Sequence, residues 1–184
     1  MTQATQAKLE NQLAELRKEL AKVRKQQANN KVMTSYEFST DSENVTLLDL
    51  FGDKDDLLLI HSMGAGCSYC TVYADGINGV LDQISTRTSV ALVSNDTAKR
   101  QNEFAKEREW KFKMVSALGT TFSRDMGYEP TEKEFWPGIM GFNKVGNDII
   151  LVSQAEFDPG DNFCVAWPLF SLLKSGTDGW EPHN

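Results

Sequence analysis

Residues 57–70, LLLIHSMGAGCSYC, decide the fold. The run from Leu57 is short, continuously apolar and followed by glycines, so Leu57–Met63 reads as a buried strand rather than a helical segment. Gly64 and Gly66 punctuate the loop that follows, and Thr71–Ser85 reads as a helix despite Gly76 and Gly79. Cys67 and Cys70 therefore fall where a buried strand has ended and a helix begins.

That placement has chemical consequences. Backbone N–H groups at a helix N-terminus carry partial positive charge, which favours a thiolate over a thiol. The i, i+3 spacing brings both sulfurs to one side of the first turn, within reach of a disulfide. Cys67, nearer the helix end, reads as the attacking thiol and Cys70 as the one that resolves a mixed disulfide. Gly64 and Gly66 let the loop bend tightly and keep the attacking sulfur accessible. Two other readings stay open at this point. The cysteines are two small residues packing at a helix start, or they form a zinc site, since Cys67, Cys70, Cys164 and His61 make four ligands by count. Against zinc, the chain lacks the second C-x-x-C or H-x-H knuckle that structural zinc sites usually show.

Outward from this junction the chain alternates strands and helices. Tyr36–Phe38 reads as a short strand, residues 45–52 as a helical turn ended by Gly52, and Ser89–Ser94 (SVALVS) as a second buried strand. Asp96 is expected to cap a helix over Thr97–Trp110. Met114–Leu118 reads as a strand and Thr120–Met126 as a short helix. Ile139–Phe142 and Asp148–Ser153 flank KVGN, a hairpin signal with glycine where φ must be positive. Phe163–Leu173 is expected to close the chain as an apolar helix that Gly176 stops. This order predicts an α/β domain with a mixed sheet covered on both faces.

An appendage precedes it. The segment KLENQLAELRKELAKVRKQQ is rich in Ala, Leu, Glu, Lys, Arg and Gln, has no Gly or Pro, and gives way to Asn29 and Asn30. Leu9, Leu13, Leu16, Leu20 and Val23 alternate at four and three residues, a narrow seam of about two and a half heptads. A helix laid on the body or on a partner subunit is the leading expectation, ahead of an autonomous coiled coil. In a parallel pair, Glu19 and Arg24 would attract each other across the interface.

Composition limits the remaining choices. Among 184 residues, 40% are hydrophobic and 24% charged, which fits a globular domain plus an appendage. No apolar run approaches the roughly 18 residues of a membrane span, so no membrane partner is expected. The opening MTQATQAKLENQ lacks the apolar stretch of a secretory signal, and a cytoplasmic location is expected. Three cysteines make no disulfide framework. Residues 1–31 carry +4, leaving −11 on the rest of a chain whose total is −7. A body of that charge repels phosphate backbones, so nucleic acid is not an expected partner.

Residues 45–70, VTLLDLFGDKDDLLLIHSMGAGCSYC, resemble the opening of thioredoxin-like proteins related to peroxiredoxins and TlpA-type reductases. More closely, YEF at 36–38, LLDLFG at 47–52, HSM at 61–63, CSYC at 67–70, YADG at 73–76, WKFKMVSALGTTFSRDMGY at 110–128 and the tail PGDNFCVAW…LLKSGTDGWEP resemble a bacterial family of unassigned function. Its members are described as thioredoxin-like and sometimes as predicted dithiol–disulfide isomerases, and a basic N-terminal helix is typical of them. The resemblance runs over most of residues 36–182. It implies a thioredoxin-like fold at 35–182, preceded by a basic helix at 1–31, which its apolar seam makes a candidate dimerisation element. It also implies that Pro137, ahead of the strand that starts at Gly138, is a cis-proline facing the cysteine pair. Two departures are clear. Gly66–Cys70 replaces the Trp-Cys-Gly-Pro-Cys of thioredoxin, and residues 62–66, SMGAG, lack the Pro…Thr…Cys constellation of peroxiredoxins.

The functional expectation is a thiol–disulfide oxidoreductase that acts on a protein or low-molecular-weight thiol or disulfide and forms a homodimer through its N-terminal helix. Cys67, Cys70, Pro137 and His61 are the candidate catalytic residues. His61 is either a base for the thiol or a core histidine. Asp75 is either a proton shuttle or a surface carboxylate, and Cys164 a packed thiol or a third redox group. No cofactor is expected, because the dithiol itself holds the electron pair. The competing expectation is a thioredoxin-fold binding or scaffold protein without redox turnover.

Overall fold

The computed structural model describes residues 3–28, 30–32, 35–132 and 134–184. Along the chain lie α1 (Gln3–Ala28), β1 (Asn30–Lys31), β2 (Glu37–Ser39), β3 (Asn44–Thr46), a 3-10 turn (Leu48–Phe51), β4 (Asp56–His61), α2 (Ser68–Gly79), α3 (Leu81–Ile84), β5 (Ser89–Ser94), α4 (Ala98–Glu107), β6 (Lys113–Ser116), α5 (Phe122–Asp125), β7 (Gly138–Val145), β8 (Asp148–Glu156) and α6 (Ala166–Phe170). The strands form one sheet in the order β1-β8-β7-β4-β5-β6-β2-β3. The central strands β4, β5 and β6 are parallel, whereas β7 pairs antiparallel with β4 and β8 with β7. This is a mixed α/β architecture of the thioredoxin-like type, with an N-terminal helical extension.

The sheet has a core on each face, as the continuous apolar character of β4 and β5 requires. Leu57 and Leu59 join Phe38, Phe51, Phe122 and Tyr128 on the face covered by the 3-10 turn and α5. Ile60, one residue out of phase, joins Tyr73, Phe112, Phe157 and Trp167 on the face covered by α2, α4 and α6. Tyr73 of α2 stacks on Phe157 with centroids 4.2 Å apart, and its hydroxyl donates to the Asp158 carbonyl. These contacts fix the azimuth of α2, and with it the position of the helix start where the cysteines lie.

Local chemistry explains most boundaries. The β7–β8 hairpin closes at the Val145–Asp148 pair, with Gly146 at φ 62°. The helix after β5 is capped by Thr97, not Asp96: the Thr97 hydroxyl accepts the Arg100 N–H at 3.3 Å, while the Asp96 carboxylate is engaged elsewhere. The apolar tail is helical only over Ala166–Phe170. Its upstream part is held as a turn, because the Asp161 carboxylate accepts the Phe163 and Cys164 N–H groups at 2.7 and 3.3 Å. Downstream, Leu172 and Leu173 are exposed in turns and give no apolar stripe to extend the helix.

The long α1 helix forms as expected and runs against β8 of its own chain, but its apolar seam is not buried there. Leu9, Leu13, Leu16, Leu20 and Val23 are between 44% and 61% exposed. Its basic residues add side-chain contacts: Arg17 donates to the Asn162 side chain at 2.6 Å, and the Arg24 guanidinium lies 5.5 Å from the Phe163 ring centroid. Asn29, expected to end the helix, lies outside the described residues. Among the described residues no helix is long and apolar enough to cross a membrane.

Candidate functional site

The loop from Ser62 to Cys67 joins the C-terminal end of β4 to the start of α2. Cys67 is the N-cap residue of α2, and its sulfur accepts the Cys70 N–H at 3.0 Å. The Cα atoms of Cys67 and Cys70 are 5.3 Å apart and the two sulfurs are bonded as a disulfide. Cys67 is half-buried, whereas Cys70 is only 5% exposed and accepts the Met63 N–H at 3.4 Å. A reaction partner thus reaches the first sulfur more easily than the second.

Residues distant in sequence hold this loop. Asp96, at the C-terminal end of β5, accepts the Ala65 N–H at 2.7 Å. A Cβ at Gly64 would come within 2.8 Å of the same carboxylate, and Gly64 has φ 116°, so both space and backbone call for glycine here. From the other side, the Asn184 amide donates to the Ala65 carbonyl at 3.4 Å, and the Thr71 hydroxyl lies 2.9 Å from the Asn184 side-chain oxygen. Neither Asp96 nor Asn184 was singled out from the sequence as part of the site. The usable signal was topological, because loops after neighbouring parallel strands meet at the same edge of a sheet.

His61 ends β4 and is 1% exposed. Its Nδ1 lies 2.8 Å from the Trp136 carbonyl oxygen, which can only accept, so Nδ1 carries the proton. Nε2 then accepts the Ser123 hydroxyl at 2.8 Å, and the ring stacks on Tyr128 with centroids 4.8 Å apart. Burial pushes the imidazole pKa down to about 4, against the smaller upward effect of the Trp136 bond. His61 is neutral at pH 7 with both nitrogens engaged, the arrangement of a core histidine that ties β4 to α5 and to the segment before β7.

A pH dependence of stability follows. The folded pKa lies below the unfolded value of 6.5, so between pH 6.5 and about 4 the unfolded chain binds the additional proton. This contribution is present above pH 6.5 and is lost as the pH falls towards 4. The stability advantage of the wild type over His61→Gln is expected to be roughly 2–3 kcal/mol smaller at pH 4.5 than at pH 7. Urea midpoints of both proteins at the two pH values check this, and an advantage that does not change with pH would refute it.

Pro137 stands one residue beyond the His61–Gly138 pair of the β4–β7 ladder, at the sheet end from which the cysteine loop leaves. The expected cis bond is absent: Trp136–Pro137 is trans. Trans geometry is the default of X–Pro bonds, and here it is compatible with a fully bonded backbone. The Trp136 N–H donates to the Tyr128 carbonyl at 2.8 Å, the Trp136 carbonyl accepts from His61, and the Pro137 carbonyl accepts the Phe157 N–H at 2.9 Å.

The other candidates are accounted for by structural contacts. Asp75 accepts from the Arg108 guanidinium and from the Trp110 indole N–H, clamping α2 to the end of α4. Cys164 is buried in the core beneath α6, and burial pushes its thiol pKa up. Among the described residues no three His, Cys, Asp or Glu side chains are grouped to hold a metal ion, so the four-ligand zinc set does not assemble.

A family model described as a bacterial protein of unknown function (DUF899) matches residues 2–165. No curated protein sequence is significantly similar to the chain. Among solved structures, peroxidoxin BcpB from Mycobacterium tuberculosis superposes with a TM-score of 0.60 at 17% identity, covering 70% of this chain and 84% of that one. Reduced Prx3 from Vibrio vulnificus gives 0.60 at 13% identity, covering 73% and 89%. The bacterioferritin comigratory protein of Xanthomonas campestris gives 0.57 at 14% identity, covering 69% and 87%. Identities this low carry the fold and nothing finer.

Proposed function

The chain belongs to a bacterial family of proteins of unknown function, DUF899, and from the dithiol seated at the start of α2 we propose that it is a thiol–disulfide oxidoreductase. The observation that carries this reading is the Cys67–Cys70 pair, with Cys67 as the helix N-cap. In the reduced protein the N–H groups of the first helical turn face the Cys67 sulfur and favour its thiolate. That thiolate attacks one sulfur of a substrate disulfide, forms a mixed disulfide and releases the other sulfur as a thiolate. The Cys70 thiolate then attacks Cys67 Sγ, which closes the Cys67–Cys70 bond and releases the second substrate thiol. Two electrons pass from protein to substrate, so no bound cofactor is required. The reverse sequence oxidises a substrate dithiol.

His61 acts as a positioning residue in this scheme, since it fixes Trp136 and hence Pro137 at the sheet end beside the cysteine loop. Substrates are a protein or low-molecular-weight thiol or disulfide. A cytoplasmic setting, where thiols are kept reduced, suits a chain with one such pair and an isolated third cysteine. The α1 seam serves as the dimerisation element between two copies. Peroxide reduction is the less favoured chemistry, because residues 62–66, SMGAG, do not supply the Pro…Thr…Cys surroundings of a peroxidatic cysteine.

Reduction of insulin by the dithiothreitol-driven protein, run beside consumption of hydrogen peroxide under the same conditions, tests the proposal. Insulin precipitation well above the dithiothreitol control, with peroxide consumption at background, is expected. A dithiol that oxidises and reduces reversibly but turns over neither substrate would favour the scaffold reading.

A further inference from the structure

Two adjoining apolar surfaces stand uncovered among the described residues. One is the α1 seam from Leu9 to Val23. The other lies on the sheet face that carries α2, where a cavity of about 660 Å³ opens over β7 and β8. Leu58, Ile139 and Ala155 contribute to its floor, and Ile77, Val80 and Phe163 to its sides. Val80 is 50% exposed and Phe163 37%. Arg24 and Asn162 line the same cavity, so α1, with its Arg17 and Arg24 contacts, runs along its rim with the seam uncovered.

The wall formed by α2 is unusual in composition. Gly76 lies within the helix, at a cost of about 1 kcal/mol relative to alanine, and Gly79 is its last residue. Among the described residues a Cβ at either position would meet no atom within 4 Å, so no contact there calls for glycine. A bare helix surface does permit close approach by another backbone. Charge points to the kind of element that approaches. The segment 1–31 carries +4 and the remainder −11, so a basic helix with an apolar seam is attracted to this body. A second copy of the chain presents such a helix.

We propose that the α1 helix of a second copy lays its leucine seam into this groove, against Gly76, Val80 and Phe163, and that the exchange is reciprocal. Each copy contributes one arm and one groove, so a two-fold axis closes the assembly as a dimer without leaving an open contact. This rests on the assembly reading given above and names the surface that receives the arm. The groove is formed by the C-terminal part of α2, whereas Cys67 caps its N-terminus, so docking does not cover the dithiol.

Light scattering on the full chain tests the proposal. A mass of about twice the 20.6 kDa chain is expected at micromolar concentration. Leu16→Glu, Val80→Arg and Gly76→Leu are each expected to halve it. Gly76→Leu improves helix propensity while filling the groove, so unchanged circular dichroism distinguishes lost docking from lost folding. The double variant Leu16→Glu/Val80→Arg is expected to regain the dimer. A wild type that stays monomeric would overturn the arm and the groove together. A dimer broken by Leu16→Glu but kept by both groove variants would overturn the groove alone and leave paired α1 helices. Insulin turnover by the groove variants is expected to stay within twofold of wild type, so the oxidoreductase reading is tested separately.

Discussion

Cys67→Ser is expected to abolish insulin reduction, with a loss on the order of 10³-fold or more, because no other described thiol can replace the nucleophile. Cys70 is buried and lies behind Cys67, and Cys164 is in the core beneath α6. Cys70→Ser is expected to behave differently. It keeps the attacking thiol and removes the resolving one, so the mixed disulfide with substrate accumulates as a covalent adduct through Cys67. Cys164→Ser is expected to leave turnover nearly unchanged. Alkylation of the reduced protein near neutral pH, read by peptide mass spectrometry, is expected to label Cys67 first, Cys70 later and Cys164 last, since burial raises the Cys164 pKa as well as blocking access. Adducts formed through Cys70 in the Cys67→Ser protein would reverse the assignment of roles. Slow, equal labelling of both thiols with no turnover would remove the oxidoreductase reading and leave a thioredoxin-like fold without its chemistry.

The strand-to-helix junction was legible because its signals are local. A continuous apolar run, two glycines and a cysteine at a helix start require only neighbouring residues to be understood, and the Gly146 hairpin is legible for the same reason. Where the sequence misled, a contact from elsewhere in the chain decided the outcome. Asp96 looks as good a cap as Thr97, but the Ala65 N–H across the sheet edge takes its carboxylate. The tail from Phe163 is apolar enough for a longer helix, but Asp161 ties down its first N–H groups and Leu172 and Leu173 find nothing to pack on. His61 could be read as a base or as a core residue until Ser123, Tyr128 and Trp136 were placed around it. Those three residues lie 62 to 75 positions downstream and share no motif with it. The α1 seam shows a different limit: periodicity reveals that a face is apolar, but not whether its own chain covers it.

Gly138→Ala is expected to be among the most damaging single substitutions in the protein. Gly138 begins β7 beside Pro137, and its backbone pairs with His61 and Glu156 on its two sides. A Cβ at this position would overlap the Ala155 carbonyl oxygen and the Tyr128 ring, and would stand 2.9 Å from the Tyr128 hydroxyl. Neither neighbour has room to give way. Ala155 belongs to the paired strand β8, and Tyr128 is 1% exposed, stacked on His61 and hydrogen-bonded through its hydroxyl to that same Ala155 carbonyl at 3.1 Å. Relief therefore requires both that β7 separate from β8 and that Tyr128 leave its site, and these movements also disturb the ring of His61. A loss of roughly 2–4 kcal/mol is expected, which for a chain of this size lowers the thermal midpoint by roughly 5–15 °C. Tyr128→Leu in the same chain is expected to recover little of the loss, because the clash with the Ala155 backbone remains. A midpoint for Gly138→Ala within about 2 °C of wild type would mean that the two strands can part at low cost. In that case the start of β7 could not hold Trp136 and Pro137 firmly beside the cysteine loop. If the midpoint falls as expected, the same rigid sheet edge that excludes a methyl group at residue 138 is what keeps the frame of the dithiol in place while its sulfur–sulfur bond opens and closes.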